Sequence, residues 1–195
     1  MKIVLTDFMS LDGVVQGPGG PEEDTDGGFA HGGWSFRFFD PEAMGSVIND
    51  GMAGAEALLF GRRTWQAMAA AWPERAGDPY ADQMNAIGKY VASRTLTPDD
   101  LTWNTTLLSA DDAIGEIAAL RGRDGGDLLI WGSASLVRTL LAEGLVDELN
   151  LFVEPILLGG GKRIFPDDGV ASPWQLVSAV TATTGAIVTR YRRAS

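Results

Sequence analysis

Three short polar turns each follow an apolar run, and each carries groups suited to holding a phosphate. Gly61-Arg62-Arg63-Thr64 follows ALLF at 57–60, Ser93-Arg94-Thr95 follows Tyr90-Val91-Ala92, and Gly132-Ser133-Ala134-Ser135 follows DLLIW at 127–131. A glycine at such a turn lets the backbone approach a phosphate closely. A helix beginning there presents unpaired N–H groups and a partial positive charge. Arg62 and Arg94 add guanidinium forks that grip phosphate oxygens in pairs. The formal net charge is −11, from 15 Lys and Arg against 26 Asp and Glu. Arginines at two such turns are therefore a pointed signal. One turn alone is ordinary punctuation between strand and helix; the three together point to a nucleotide-phosphate site.

Other chemistries are excluded by composition. The chain has no cysteine and one histidine, which removes thiolate and multi-histidine metal sites and most triad chemistry. No metal is expected. The acidic balance (pI near 4.4) is unsuited to nucleic acid. No apolar run reaches the ~20 residues of a membrane span. No GxGxxG fingerprint is present. Gly159-Gly160-Gly161-Lys162 is only superficially a phosphate loop, because Ile156 stands where the first glycine belongs and Arg163 replaces the Ser/Thr. Asp7, Asp12, Asp40 and Glu42 are the carboxylates nearest the expected cleft. Asp40 also reads as a helix cap, and Asp12 as a turn residue.

The elements that must position these turns follow from patterning. Residues 2–9 alternate as a strand, and Asp12-Gly13 makes a turn. Residues 17–33 hold seven glycines, two prolines and four acids, the composition of a long mobile loop. Asp40-Pro41-Glu42 opens a helix. Helices are also expected over 65–72, from Ser109-Ala110-Asp111-Asp112 to Gly122, and from Ser133 to Gly144. Strands are expected over 149–154, 174–183 and 186–192. Strand and helix alternate through the middle and the end is antiparallel, so the reading is one mixed-sheet α/β domain over 1–195. Ligands of such sheets bind at the carboxyl ends of the strands. The amino-terminal segment reads as a strand and not as a signal peptide, which gives a cytoplasmic expectation.

SLDG (10–13), GRRTW (61–65), ASRTL (92–96), WGSASLVRTLL (131–141) and LVDELNLFVEPILLGGGKRIF (145–165) stand in this order. With them the chain resembles, over 2–192, the reductase domain of bifunctional riboflavin-biosynthesis deaminase-reductases. It is more similar still to their stand-alone dihydrofolate-reductase-like relatives. The resemblance implies a dihydrofolate-reductase-like fold: three layers, α/β/α, around a mixed, mostly parallel sheet of about eight strands. It implies NADPH along the strand ends, with Gly61, Arg62 and Thr64 beside the cofactor and Arg62 near the 2′-phosphate. Ser93 and Arg94 would flank the adenosine phosphate. Gly132, Ser133, Ala134 and Ser135 would offer backbone donors to the pyrophosphate. Met9 would meet the nicotinamide through its main chain, Trp34 would border that ring, and residues 17–33 would cover the site.

Two departures bear on the substrate. Where the riboflavin reductases carry a substrate-touching glutamate, this chain has Trp131. The zinc-dependent deaminase half is missing. Asp40 lies near the acid of true dihydrofolate reductases and is the catalytic candidate. The main reading is an NADPH-dependent reductase acting on a small polar, pterin- or pyrimidine-like acceptor, resembling 5-amino-6-(5-phosphoribosylamino)uracil reductase. The alternative is a non-catalytic binding protein that keeps the cofactor cleft. Relatives of this kind pair as homodimers, so a homodimer is expected.

Overall fold

Strand residues alternate between two apolar clusters, and that alternation builds a sheet covered on both faces. The computed structural model describes residues 1–194. Its strands are β1 (Ile3–Ser10), β2 (Ala55–Gly61), β3 (Gly88–Ala92), β4 (Thr105–Leu108), β5 (Asp127–Trp131), β6 (Glu148–Glu154), β7 (Trp174–Thr181) and β8 (Ile187–Arg193). The helices are α1 (Ala43–Gly54), α2 (Arg62–Ala71), α3 (Pro79–Ala86), α4 (Ala113–Arg121) and α5 (Ala134–Ala142). The eight strands run in the order β4-β3-β2-β5-β1-β6-β8-β7. β1 to β6 pair in parallel, while β8 is antiparallel to both β6 and β7.

On one face Ile3, Leu5, Leu128 and Ile130 pack with Ile117 and Leu120 of α4 and Leu136, Val137 and Leu140 of α5. On the other, Val4, Leu58, Phe60 and Leu129 pack with Met52 of α1, Trp65 of α2 and Met84 of α3. Successive side chains of one strand enter opposite clusters, as the period of two requires. The α/β layering and mixed sheet match the expectation from sequence.

Two elements escape the sequence pattern. β4 has four residues at the sheet edge, too short to show a period. α3 begins at Asp78-Pro79, where the Asp78 carboxylate accepts from the Tyr80 and Ala81 amides at 3.0 Å. That is the same Asp-Pro capping signal as at Asp40-Pro41. Among the described residues no helix is long and apolar enough to cross a membrane.

Candidate functional site

Because β5 and β1 are central neighbours, the carboxyl ends of β3, β2, β5 and β1 form one row. A cleft of about 2090 Å³ runs along it. A single small ligand needs roughly 300–1,000 Å³, so there is room for a dinucleotide and a second molecule. All three polar turns line it, including Gly61, Arg62, Thr64, Ser93, Arg94, Gly132, Ser133, Ala134 and Ser135.

The turns after β2 and β5 are built against each other. The Gly61 amide donates to Ser133 Oγ at 2.7 Å. Gly132 and Ser133 are both left-handed, with φ of 65° and 64°, and this aims the start of α5 at the cleft. A Cβ at Gly61 would lie 3.2 Å from Ser133 Cβ and Oγ, so glycine is what allows the approach. Arg62 donates only to the neutral Gln66 Oε1, at 3.0 Å. Neither Arg62 nor Arg94 forms an ion pair among the described residues. Ser93 has a different job: its Oγ accepts from the Thr95 and Leu96 amides at 3.1 and 3.0 Å. It shapes the turn that presents Arg94.

The loop over 17–33 is tied down. Gln16 Nε2 donates to the Asp24 and Asp26 carbonyls at 3.1 and 2.9 Å. Lys162 Nζ sits 2.6 Å from Asp24 Oδ2 and 3.1 Å from Asp26 Oδ2. Arg63 pairs with Asp26, binding the loop to the α2 turn. The glycine run before Lys162 therefore ends in a loop anchor.

Three expected site residues are not part of the cleft lining. Trp34 does not line the cleft; it is buried with Val14 and Leu158, and its indole N–H donates to the Gln16 carbonyl at 2.8 Å. It supports the loop from behind. Met9 is not part of that lining either: the wall from β1 is made by Thr6, Asp7 and Phe8, and the Met9 side chain packs against the core, while its main chain, the part expected to meet the ring, lies just beyond them on the same strand. Asp40 is the third. Its Oδ1 accepts from the Glu42 and Ala43 amides at 3.0 Å. Oδ2 accepts from the Thr183 amide and hydroxyl at 2.8 and 2.7 Å. The Ala43 amide, then the Thr183 hydroxyl and amide, hold the carboxyl down at about 2. A carboxylate so fixed caps α1 and ties it to the β7–β8 turn, and is no proton donor at neutral pH.

Of the four carboxylates singled out by sequence, Asp7 is the one whose residue lines the cleft. It is 4% exposed and its Oδ2 has no hydrogen-bond partner. Burial pushes it well above the usual carboxylate range; the Phe8 amide draws it part-way back, and the charge of Glu23 pushes it further up. Sequence placed Asp7 near the cleft but gave no reason to prefer it. An aromatic wall lines the cleft that local sequence pattern does not reveal. Trp131 stacks on Tyr80 with centroids 6.3 Å apart and planes at 16°, and Tyr80 meets Trp72 edge-on at 5.6 Å. All three line the cleft, with Ile48 and Asn49 of α1. Tyr80 comes from α3, the helix that the sequence pattern missed.

Comparison with known proteins gives this geometry its family. The model of the RibD C-terminal domain matches residues 1–188. The chain belongs to the RibD C-terminal domain family. The uncharacterized protein YyaP of Bacillus subtilis (strain 168) is 28% identical over 191 residues, covering 95% of this chain and 92% of that protein. A crystal structure of a Shewanella sp. PV-4 protein provisionally named for riboflavin biosynthesis superposes with a TM-score of 0.74 at 21% identity, over all of both chains. Dihydrofolate reductase from Enterococcus faecalis, in complex with NADP(H) and RAB-propyl, gives 0.63 at 16% identity, over all of this chain and 97% of that one. The fold of this RibD C-terminal domain is thus dihydrofolate-reductase-like.

Proposed function

We propose that this RibD C-terminal domain is an NADPH-dependent reductase for a small polar acceptor with a flat ring. One observation carries the reading: two arginines without carboxylate partners stand beside two converging helix starts. Arg62 and Arg94 lie on neighbouring strand ends, where a 2′-phosphate finds two guanidinium groups. The close-packed Gly61 and Ser133 turns leave the starts of α2 and α5 facing the cleft for a pyrophosphate. NADPH, when bound, supplies hydride; the chain orients it, and the anchored loop over 17–33 limits water. The wall of Trp72, Tyr80 and Trp131 offers π faces to a planar acceptor.

The experiment is a calorimetric titration with NADPH and NADH, followed by NADPH absorbance against a panel of pterins and ribosylaminopyrimidines. NADPH binding tighter than NADH, with oxidation by one member of the panel, is the expected result. The engagement of Asp40 elsewhere favours a second reading, a binding protein without turnover. Tight NADPH binding with no acceptor reduced across the panel would select it.

The same proposal includes a homodimer. β7 is an edge strand, and Leu176, Val177 and Val180 on it and Ile187 on β8 are 44–57% exposed. An apolar edge of this kind invites isologous pairing. Sedimentation at micromolar protein should show a species of twice 20.7 kDa; a monomer alone contradicts it.

A further inference from the structure

Behind the aromatic wall lies a buried cation with no carboxylate beside it. Lys89 of β3 is 1% exposed and forms no ion pair among the described residues. Leu58 and Thr105 stand opposite it on β2 and β4, and Asn85 and Trp103 meet its ammonium, so the groups around it carry no charge. Burial pushes that ammonium down to about 8. A methionine would fill the same space without the loss of hydration.

The contacts of Lys89 show what it holds. Its Nζ donates to the Asn85 carbonyl at 2.9 Å and lies 4.2 Å from the centre of the Trp103 ring. Asn85 is in the last turn of α3, where the free carbonyls favour a cation. The Asn85 side chain works in two directions: Nδ2 donates to the Trp72 carbonyl at 3.2 Å, and Oδ1 accepts from the Trp103 indole at 2.7 Å. Trp103 and Asn104 are both left-handed, with φ of 58° and 52°. A bulky residue keeps that conformation only where its surroundings over-determine it. Asn104 Nδ2 donates to the Ala86 and Ile87 carbonyls at 3.1 and 3.4 Å, so the strained turn closes the end of α3. None of these four residues lines the cleft.

We propose that Lys89 is a positioning residue for the aromatic wall, acting through Asn85 on Tyr80 and Trp72. α3 has eight residues, too few to hold its shape alone. Asp78 fixes its start beside Tyr80, and Lys89 with Asn85 fixes its end. Asn85 also ties that end to the backbone of Trp72, so the two rings that meet edge-on share one support. This inference rests on the proposed reading of the wall as the acceptor side and adds to it the charge that sets its geometry. As pH rises through about 8 the ammonium becomes an amine. The attraction to Trp103 is then lost and the bond to Asn85 weakens.

The test follows the indole N–H signals of the six tryptophans by NMR as pH is raised, with no ligand present. In the wild type the Trp103 and Trp72 signals should move together with one midpoint near 8, while Trp34, which packs in a separate cluster, stays. Lys89→Met should remove that titration from both signals. Lys89→Arg, charged throughout, should hold both still, and it keeps the measurement decisive if Lys89→Met folds poorly. With the acceptor that the panel identifies, Lys89→Met should raise KM several-fold and leave NADPH affinity unchanged. A titration at Trp103 that never reaches Trp72, a Trp72 shift that persists in Lys89→Arg, or an unchanged KM would overturn the assignment. If no acceptor is reduced, the reductase reading fails by itself, and the NMR titration still decides whether Lys89 governs the wall.

Discussion

The Gly61 amide and the Ser133 hydroxyl, 72 residues apart in sequence and 2.7 Å apart in space, join the two turns from which α2 and α5 begin. Ser133 holds a left-handed backbone, φ 64°, to make that bond. Ser133→Ala should keep the unfavourable backbone and lose the acceptor, costing about 1 kcal/mol in denaturant unfolding and weakening NADPH. Ser133→Gly loses the same bond but suits the conformation, so it should be the less damaging of the two. Equal stability of wild type and Ser133→Ala would show that the bond contributes nothing.

Arg62 should set the preference for NADPH over NADH. Its guanidinium has only a neutral partner, Gln66, so it is free for a phosphate. A charge-assisted contact is worth ~1.5–3 kcal/mol, about tenfold to a hundredfold in affinity. Arg62→Ala should narrow the gap between the two cofactors by that factor in a calorimetric titration. Equal affinities in the wild type contradict the assignment.

Asp40 should matter for stability against acid and not for the site. Its folded value, about 2, lies below that of an unfolded aspartate, 3.8. Its contribution is therefore complete above about pH 4 and disappears as pH falls toward 2. Asp40→Asn should lower stability at neutral pH and flatten the acid limb between those values. NADPH affinity should not move. A large loss of affinity in a folded Asp40→Asn protein would return this carboxylate to the site.

Trp131 should exclude the riboflavin intermediate. Its indole lines the cleft and stacks on Tyr80, and it offers one donor where a carboxylate would accept from a hydroxylated substrate. Each substrate donor left unpaired costs ~1–3 kcal/mol. Ribosylaminopyrimidine phosphate with NADPH should turn over far below the ~1 s⁻¹ ordinary for a biosynthetic enzyme, and Trp131→Glu should raise the rate. Wild-type turnover at ordinary speed would show that this position does not choose the substrate.

Short-range chemistry was legible in the sequence. A run such as ALLF must be buried, a glycine and an arginine after it make a turn within a few residues, and Asp40-Pro41 caps the helix that follows. The three polar turns are assembled from such local signals, and the structure brings them together on one cleft. What needed the tertiary structure was every property set by a neighbour far along the chain. The second partner of Asp40 is Thr183, 143 residues away. Trp34 turns inward because Val14 and Leu158 meet over it, and the acidic loop is held by Lys162. Asp7 is the extreme case. An aspartate in a strand is unremarkable in sequence, and only the packing shows that it is buried with Oδ2 unpartnered.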